Sequence, residues 1–192
     1  MSDERPHDPA EGGVTTEVRD RILLIGLDRP AKMNGYTPQM ARQLVAAFER
    51  LETEDDLWCG VLFGHGDHFT AGLDLPKFHG GMKEGRRSTS GRIDPMALGR
   101  RCRKPIVTAV QGVTYTLGIE LMLAGDIVVA ADDCRFSQLE PLRGIHAAGG
   151  AEAKPRRPPR RKKAGCARRQ DTNCRMLVFG ACTRRMRNRV SP

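Results

Sequence analysis

From residue 14 onward the apolar positions fall into short runs whose period changes between 2 and 3.6. Residues 14–19 alternate and residues 22–27 form a compact apolar run, so together they predict a strand hairpin turning at Asp20-Arg21. Thr37-Pro38 supplies a capping hydroxyl followed by proline at a first helical position. Met40, Leu44, Ala47, Phe48 and Leu51 then lie on one face, predicting a helix that ends near Glu54. Residues 60–63 read as a short buried strand, Ile106–Val110 as a strand, Leu117–Ala124 as a helix and Ile127–Ala131 as another strand. Strands and helices in this close succession imply an α/β architecture. Residues 76–103 are Gly-rich and basic and read as a long functional or unstructured loop. Residues 1–13, polar and rich in Pro and Gly, read as disordered.

Charge divides the chain. Of the 192 residues, the last 42 carry 14 Lys and Arg against Glu152 and Asp171, a net +12, whereas residues 1–150 are mildly acidic at −3. Residues 1–150 therefore read as the globular body, and residues 151–192 as a basic Arg/Pro-rich tail. Prolines 155, 158 and 159 and the cation run predict an extended, self-repelling segment, with no apolar period before Met176-Leu-Val-Phe179. Three readings fit it: a polyanion-binding arm making non-specific nucleic-acid contacts, a solvated tail without a partner, or out-of-frame translation of a GC-rich gene. The composition favours the third. The six cysteines at 59, 102, 134, 166, 174 and 182 form no C-x-x-C pair and no zinc spacing. The N-terminus shows no secretory pattern and no window has the length and apolarity of a membrane span. The expectation is a reduced, cytoplasmic protein without a metal.

Two carboxylates stand out against this background. Between Lys104 and Asp126 the chain runs through 21 residues with one charge, Glu120. Burying a lone carboxylate costs roughly several kcal/mol unless it is paired, hydrogen-bonded or protonated, a cost most often borne where the group has chemistry to do. Glu140, in Phe136-Ser-Gln-Leu-Glu140-Pro, again has uncharged neighbours. Glu120 also falls in the first turn of its predicted helix, where free N–H groups and the positive dipole end favour negative charge. After the strand at 60–63, Gly64-His-Gly66 mimics a dinucleotide fingerprint, but Phe69 stands where the third glycine belongs, so a Rossmann reading is weak. His65, Asp67 and His68 read as loop residues before they read as metal ligands. Ala71-Gly72 is small enough for a ligand carbonyl to approach backbone N–H groups, although on this segment alone an ordinary tight turn is the better explanation.

Taken in order, Phe69-Thr-Ala71-Gly72-Leu-Asp74, Lys104-Pro-Ile-Val-Thr-Ala-Val-Gln-Gly112, Gly118-Ile-Glu120-Leu-Met-Leu-Ala-Gly-Asp126, Phe136-Ser-Gln-Leu-Glu140-Pro141 and Gly144-Ile-His-Ala-Ala-Gly149-Gly150 resemble the crotonase (enoyl-CoA hydratase/isomerase) family. The resemblance covers about residues 14–150, and Arg29-Pro-Ala-Lys32-Met-Asn34 is similar to the family's early loop near the CoA nucleotide. It implies a spiral of ββα units, here truncated, and an acyl-CoA thioester as substrate with no separate cofactor. It further implies Glu120 and Glu140 as the hydratase acids, the backbone N–H groups of Ala71 and Leu117 as an oxyanion hole, and Lys32, Gly72, Asp74 and Gly118 as substrate-binding positions. Isomerases of the family generally need only the acid at the position of Glu140, so retention of both favours hydration. Relatives assemble as homotrimers or hexamers through C-terminal helices that residues 151–192 do not resemble. An inactive remnant with a polyanion-binding tail is therefore the alternative to a working enzyme.

Overall fold

In the computed structural model, which describes residues 9–78, 91–144 and 176–180, the alternation at the N-terminus becomes a hairpin. Strand β1 (Gly13–Arg19) pairs antiparallel with β2 (Ile22–Asp28), Val18 opposite Leu23. Asp20 makes the turn at φ 54°, a left-handed conformation that Asp tolerates better than most residues. Leu23, Ile25 and Leu27 are completely buried, as one face of a half-covered strand requires. Helix α1 (Pro38–Thr53) starts where the sequence places it, with Thr37 Oγ1 accepting from the Met40 N–H at 3.2 Å. Its Met40, Leu44 and Leu51 are fully buried in the same core as the β2 side chains.

The chain then runs through β3 (Cys59–Gly64), β4 (Ile106–Val110), β5 (Val113–Tyr115), α2 (Leu117–Ala124), β6 (Ile127–Ala131), β7 (Arg135–Ser137) and β8 (Met176–Gly180). Six strands form one sheet in the order β1-β2-β3-β4-β6-β8, parallel from β2 to β6 and antiparallel at both edges. Strands β5 and β7 form a separate parallel pair. Hairpin followed by helix, then β4, β5 and α2, are successive ββα units, which agrees with the implied architecture.

Several expectations are corrected. Pro9–Glu11 forms a 3-10 turn and Gly13 already belongs to β1, so the ordered chain begins earlier than residue 14; residues 1–8 lie outside the described residues. Within the basic tail Met176–Gly180 forms a strand that pairs with β6, Ala131 opposite Met176 and Ile127 opposite Gly180. This five-residue apolar run satisfies backbone groups along an edge that would otherwise lack partners. Residues 145–175 and 181–192 lie outside the described residues, as do 79–90 within the predicted loop. The rest of that loop has definite structure: Ile93 is completely buried, and the Asp94 carboxylate accepts from the N–H groups of Met96, Leu98 and Gly99.

One carboxylate on α1 serves stability rather than chemistry. Glu52 is buried and accepts from the Arg103 backbone N–H at 2.8 Å, from the Arg103 guanidinium and from the Cys102 thiol. The Arg103 backbone bond, with the side-chain bonds behind it, holds the carboxyl at about 2, below its ordinary 4.5. A depressed folded value means the ionised form favours the folded state, so this contribution is complete above pH 4.5 and lost as pH falls toward 2. Solvent screens the exposed Arg103 side chain, which leaves chiefly the backbone bond, so Glu52→Gln is expected to cost about 1–2 kcal/mol at pH 7. Denaturant titrations at pH 7, 4 and 3 check this, and the wild-type advantage should shrink at the lower pH values. An advantage independent of pH would refute the role given to the ionised carboxyl.

Candidate active site

Three segments meet at the start of α2. Past β3, the Phe69 N–H donates to Gln111 O at 2.9 Å, Thr70 N–H to Val113 O at 3.1 Å and Tyr115 N–H to Thr70 O at 3.0 Å. This parallel bridge sets Thr70 beside Thr114. Gly72 packs directly on the preceding turn of backbone: at φ +100°, a Cβ there would lie 1.9 Å from Thr116 Oγ1. Gly118 is equally confined, since a Cβ would meet Thr70 Cγ2 at 2.7 Å.

The backbone donors of this segment are mostly committed. Ala71 N–H donates to Met33 O at 2.9 Å, Gly72 N–H to Thr70 Oγ1 at 3.1 Å and Asp74 N–H to Tyr36 O at 2.9 Å. The positive φ of Gly72 breaks the strand alternation, so both Ala71 and Asp74 donate toward residues 33–36. Leu73 N–H points away from that segment and has no acceptor among the described residues. The expected Ala71 donor is thereby corrected: its N–H closes onto the early loop, and Leu73 presents the open donor next to α2. Leu117 opens α2, where no helical carbonyl lies behind its N–H.

The second acid arrives through the small sheet. Tyr115 pairs with Ser137, and Thr116 N–H donates to Ser137 O at 2.9 Å. From that contact the two acids diverge by a few residues only, Glu120 four positions beyond Thr116 and Glu140 three beyond Ser137. Glu120 is buried at 6% exposure in the first turn of α2, as its uncharged surroundings suggested. Glu140 is half-buried and opens the 3-10 turn Glu140–Arg143. With its amide oriented to donate, Gln138 lies 2.7 Å from Glu140 Oε2 and 3.2 Å from Oε1.

The early loop is held from inside by Asn34, which is completely buried. Its Oδ1 accepts from Arg29 N–H at 2.7 Å, and its Nδ2 donates to His65 O at 2.9 Å and His68 O at 2.8 Å. Arg29 pairs with Asp74 at 2.7 Å, so the carboxylate expected to bind substrate is occupied in joining the loop to the 70–74 segment. Lys32, at the end of the 3-10 turn Pro30–Lys32, is exposed. His65 Nε2 lies 2.8 Å from Thr15 Oγ1, and His68 Nδ1 accepts from Val113 N–H at 3.3 Å. Among the described residues no three His, Cys, Asp or Glu side chains are grouped as metal ligands, and no helix is long and apolar enough to cross a membrane. A cavity of about 560 Å³ opens elsewhere, between the β1 and β2 ends and α1, lined by Gly12, Thr15, Asp28, Arg29 and Gln43 among others.

The family model for enoyl-CoA hydratase/isomerase matches residues 17–167. The chain belongs to the enoyl-CoA hydratase/isomerase family. The family match runs beyond residue 150, past the last motif read from the sequence. Among curated relatives, the enoyl-CoA hydratase EchA19 of Mycobacterium tuberculosis is 34% identical over 140 residues, 70% of this chain and 52% of its own length. The mevalonyl-coenzyme A hydratase SIDH of Beauveria bassiana is 33% identical over 68% of this chain and 50% of its own length. A probable enoyl-CoA hydratase/isomerase from Mycobacterium abscessus has a solved structure that matches with a TM-score of 0.69 at 42% identity, covering 73% of this chain and 55% of that one. The chain thus spans about half the length of the curated relatives it matches.

Proposed function

We propose that this chain binds a 2-enoyl-CoA thioester at the junction of β5, α2 and β7 and adds water across its 2,3-double bond. The reading is supported by two backbone N–H groups without acceptors among the described residues, Leu73 and Leu117, and by the Thr116–Ser137 contact, from which buried Glu120 and half-buried Glu140 lie four and three residues away. The thioester oxygen accepts from Leu73 and Leu117 N–H, and a water molecule sits between Glu120 and Glu140. Glu120 takes a proton from that water as its oxygen bonds to carbon 3. The π electrons move onto the thioester oxygen, where each donor contributes about 10²–10³ in rate by stabilising the enolate. Glu140 delivers its proton to carbon 2 as the carbonyl re-forms, and proton transfer between the two carboxyls restores the starting state. Two acids sharing a dry site suit this division into base and acid.

Water and the thioester are the only reactants, so the scheme calls for no further cofactor. Gly72 and Gly118 serve by keeping the backbones close, Asp74 by holding the loop through Arg29, and the exposed Lys32 ammonium is the group assigned to the nucleotide phosphates. A cytoplasmic location accompanies this reading, whereas the homotrimeric or hexameric assembly of the family does not carry over to a chain whose residues 151–192 do not resemble the helices that build it. A second reading is double-bond isomerisation using Glu140 alone, in keeping with a family that is described as hydratase/isomerase. Purified chain mixed with crotonyl-CoA should consume the conjugated thioester and yield 3-hydroxybutyryl-CoA. Turnover of a 3-enoyl-CoA without hydration would establish the isomerase instead. Binding without turnover of either substrate would leave a non-catalytic acyl-CoA-binding remnant.

A further inference from the structure

Thr116 precedes Leu117 in the chain and packs on Gly72, the residue before Leu73, and its hydroxyl has no role described so far. Its backbone is in an unusual conformation, φ 49° and ψ −114°, which a residue with a β-branched side chain ordinarily avoids. The main chain around it enforces this. Thr116 N–H is held by Ser137 O, and its carbonyl accepts from Ile119 N–H at 2.9 Å and Glu120 N–H at 3.4 Å. Both backbone groups being committed, the side chain has its direction set by the structure around it. The hydroxyl is seated on Gly72, the residue before Leu73, while Thr116 itself is the residue before Leu117. It is half-buried and makes no cap bond to α2, and no acceptor for it is found among the described residues.

We infer that the Thr116 hydroxyl is a third hydrogen-bond donor to the thioester oxygen, set beside the Leu73 and Leu117 N–H groups. This rests on the acyl-CoA reading above and deepens it. A hydroxyl rotor can turn its proton to suit, so it adjusts as the oxygen gains charge, whereas the amides are fixed. Its occupancy of the space over Gly72 also narrows the approach to the donors, so the ligand oxygen reaching them must be a small sp² or enolate oxygen.

The test compares butyryl-CoA, a saturated thioester that cannot be hydrated, with S-butyl-CoA, the thioether lacking the carbonyl, by calorimetry on the full chain. Thr116→Val keeps the branched shape and the backbone conformation but removes the hydroxyl; Thr116→Ser keeps the hydroxyl. The wild-type preference for thioester over thioether should fall by about tenfold in T116V and persist in T116S, as expected for one bond to a polarised acceptor. The carbonyl stretch of bound butyryl-CoA should move to higher frequency in T116V for the same reason. An unchanged preference in T116V, or tighter thioester binding once the hydroxyl is gone, would overturn the inference while leaving the acyl-CoA reading intact. Failure of wild type to bind either ligand would overturn both.

Discussion

Glu140→Gln is expected to lower hydration of crotonyl-CoA by about 10²–10⁴-fold, the usual contribution of a positioned acid or base. Glutamine keeps the shape and the capacity to hydrogen-bond with Gln138, but it has no transferable carboxyl proton for carbon 2. The fold should tolerate the change because Glu140 is half-buried at a turn and makes no ion pair among the described residues. The measurement is the loss of enoyl-thioester absorbance under saturating substrate, with far-ultraviolet circular dichroism as the control for folding. Binding of butyryl-CoA should be nearly unchanged, since the acid acts on the bond being made rather than on the thioester oxygen. Full turnover by E140Q would remove Glu140 from the mechanism and return its role to the turn.

Gly112→Ala is expected to have the largest effect on stability, a loss of about 3–5 kcal/mol. Gly112 sits at φ +52°, and a Cβ there would lie 2.2 Å from the Asp67 carbonyl oxygen and 2.5 Å from His68 Nδ1. The first obstacle is backbone, so relief requires moving the whole 64–70 turn. That movement would break the Phe69–Gln111 bond and disturb the Thr70–Thr114 bridge that joins this turn to β5. Gly144→Ala is the comparison. It also has positive φ, +67°, but meets nothing within 4 Å, so only the conformational preference of about 1 kcal/mol is at stake. Urea unfolding midpoints of the two variants separate steric from conformational cost. Equal midpoints would show that the 64–70 turn yields more easily than its contacts imply.

The contrast between what was legible and what was not follows the range of the interactions. The hairpin, α1 with its Thr37 cap, β4, α2 and β6 were all readable because each rests on contacts within a few residues or on one buried face. Strands β5 and β7 were not, because three residues have no measurable period and these exist only by pairing with each other. Ile93 looked like loop sequence, and its complete burial depends on a fold made by the Asp94 carboxylate with the following amides. The strand at Met176–Gly180 was visible as an apolar run, but its partner, 45 or more residues away in sequence, was not.

The candidate site divides the same way. The chemical types of Glu120 and Glu140, and the odd absence of other charge around Glu120, are properties of the sequence alone and pointed to the acids directly. Which backbone amide is free is a property of three dimensions. Ala71 and Leu73 are two residues apart and chemically equivalent as donors; the +100° φ of Gly72 turns one toward Met33 and leaves the other open. Likewise Asp74 reads as a candidate ligand until Arg29, 45 residues earlier, is found paired with it. Composition and period thus determined the class of fold and the acids available for chemistry, because side-chain identity and local periodicity are written in the chain. Only tertiary structure decided which donors remain unpaired, because hydrogen bonds between distant segments consume donors that the sequence shows as equal.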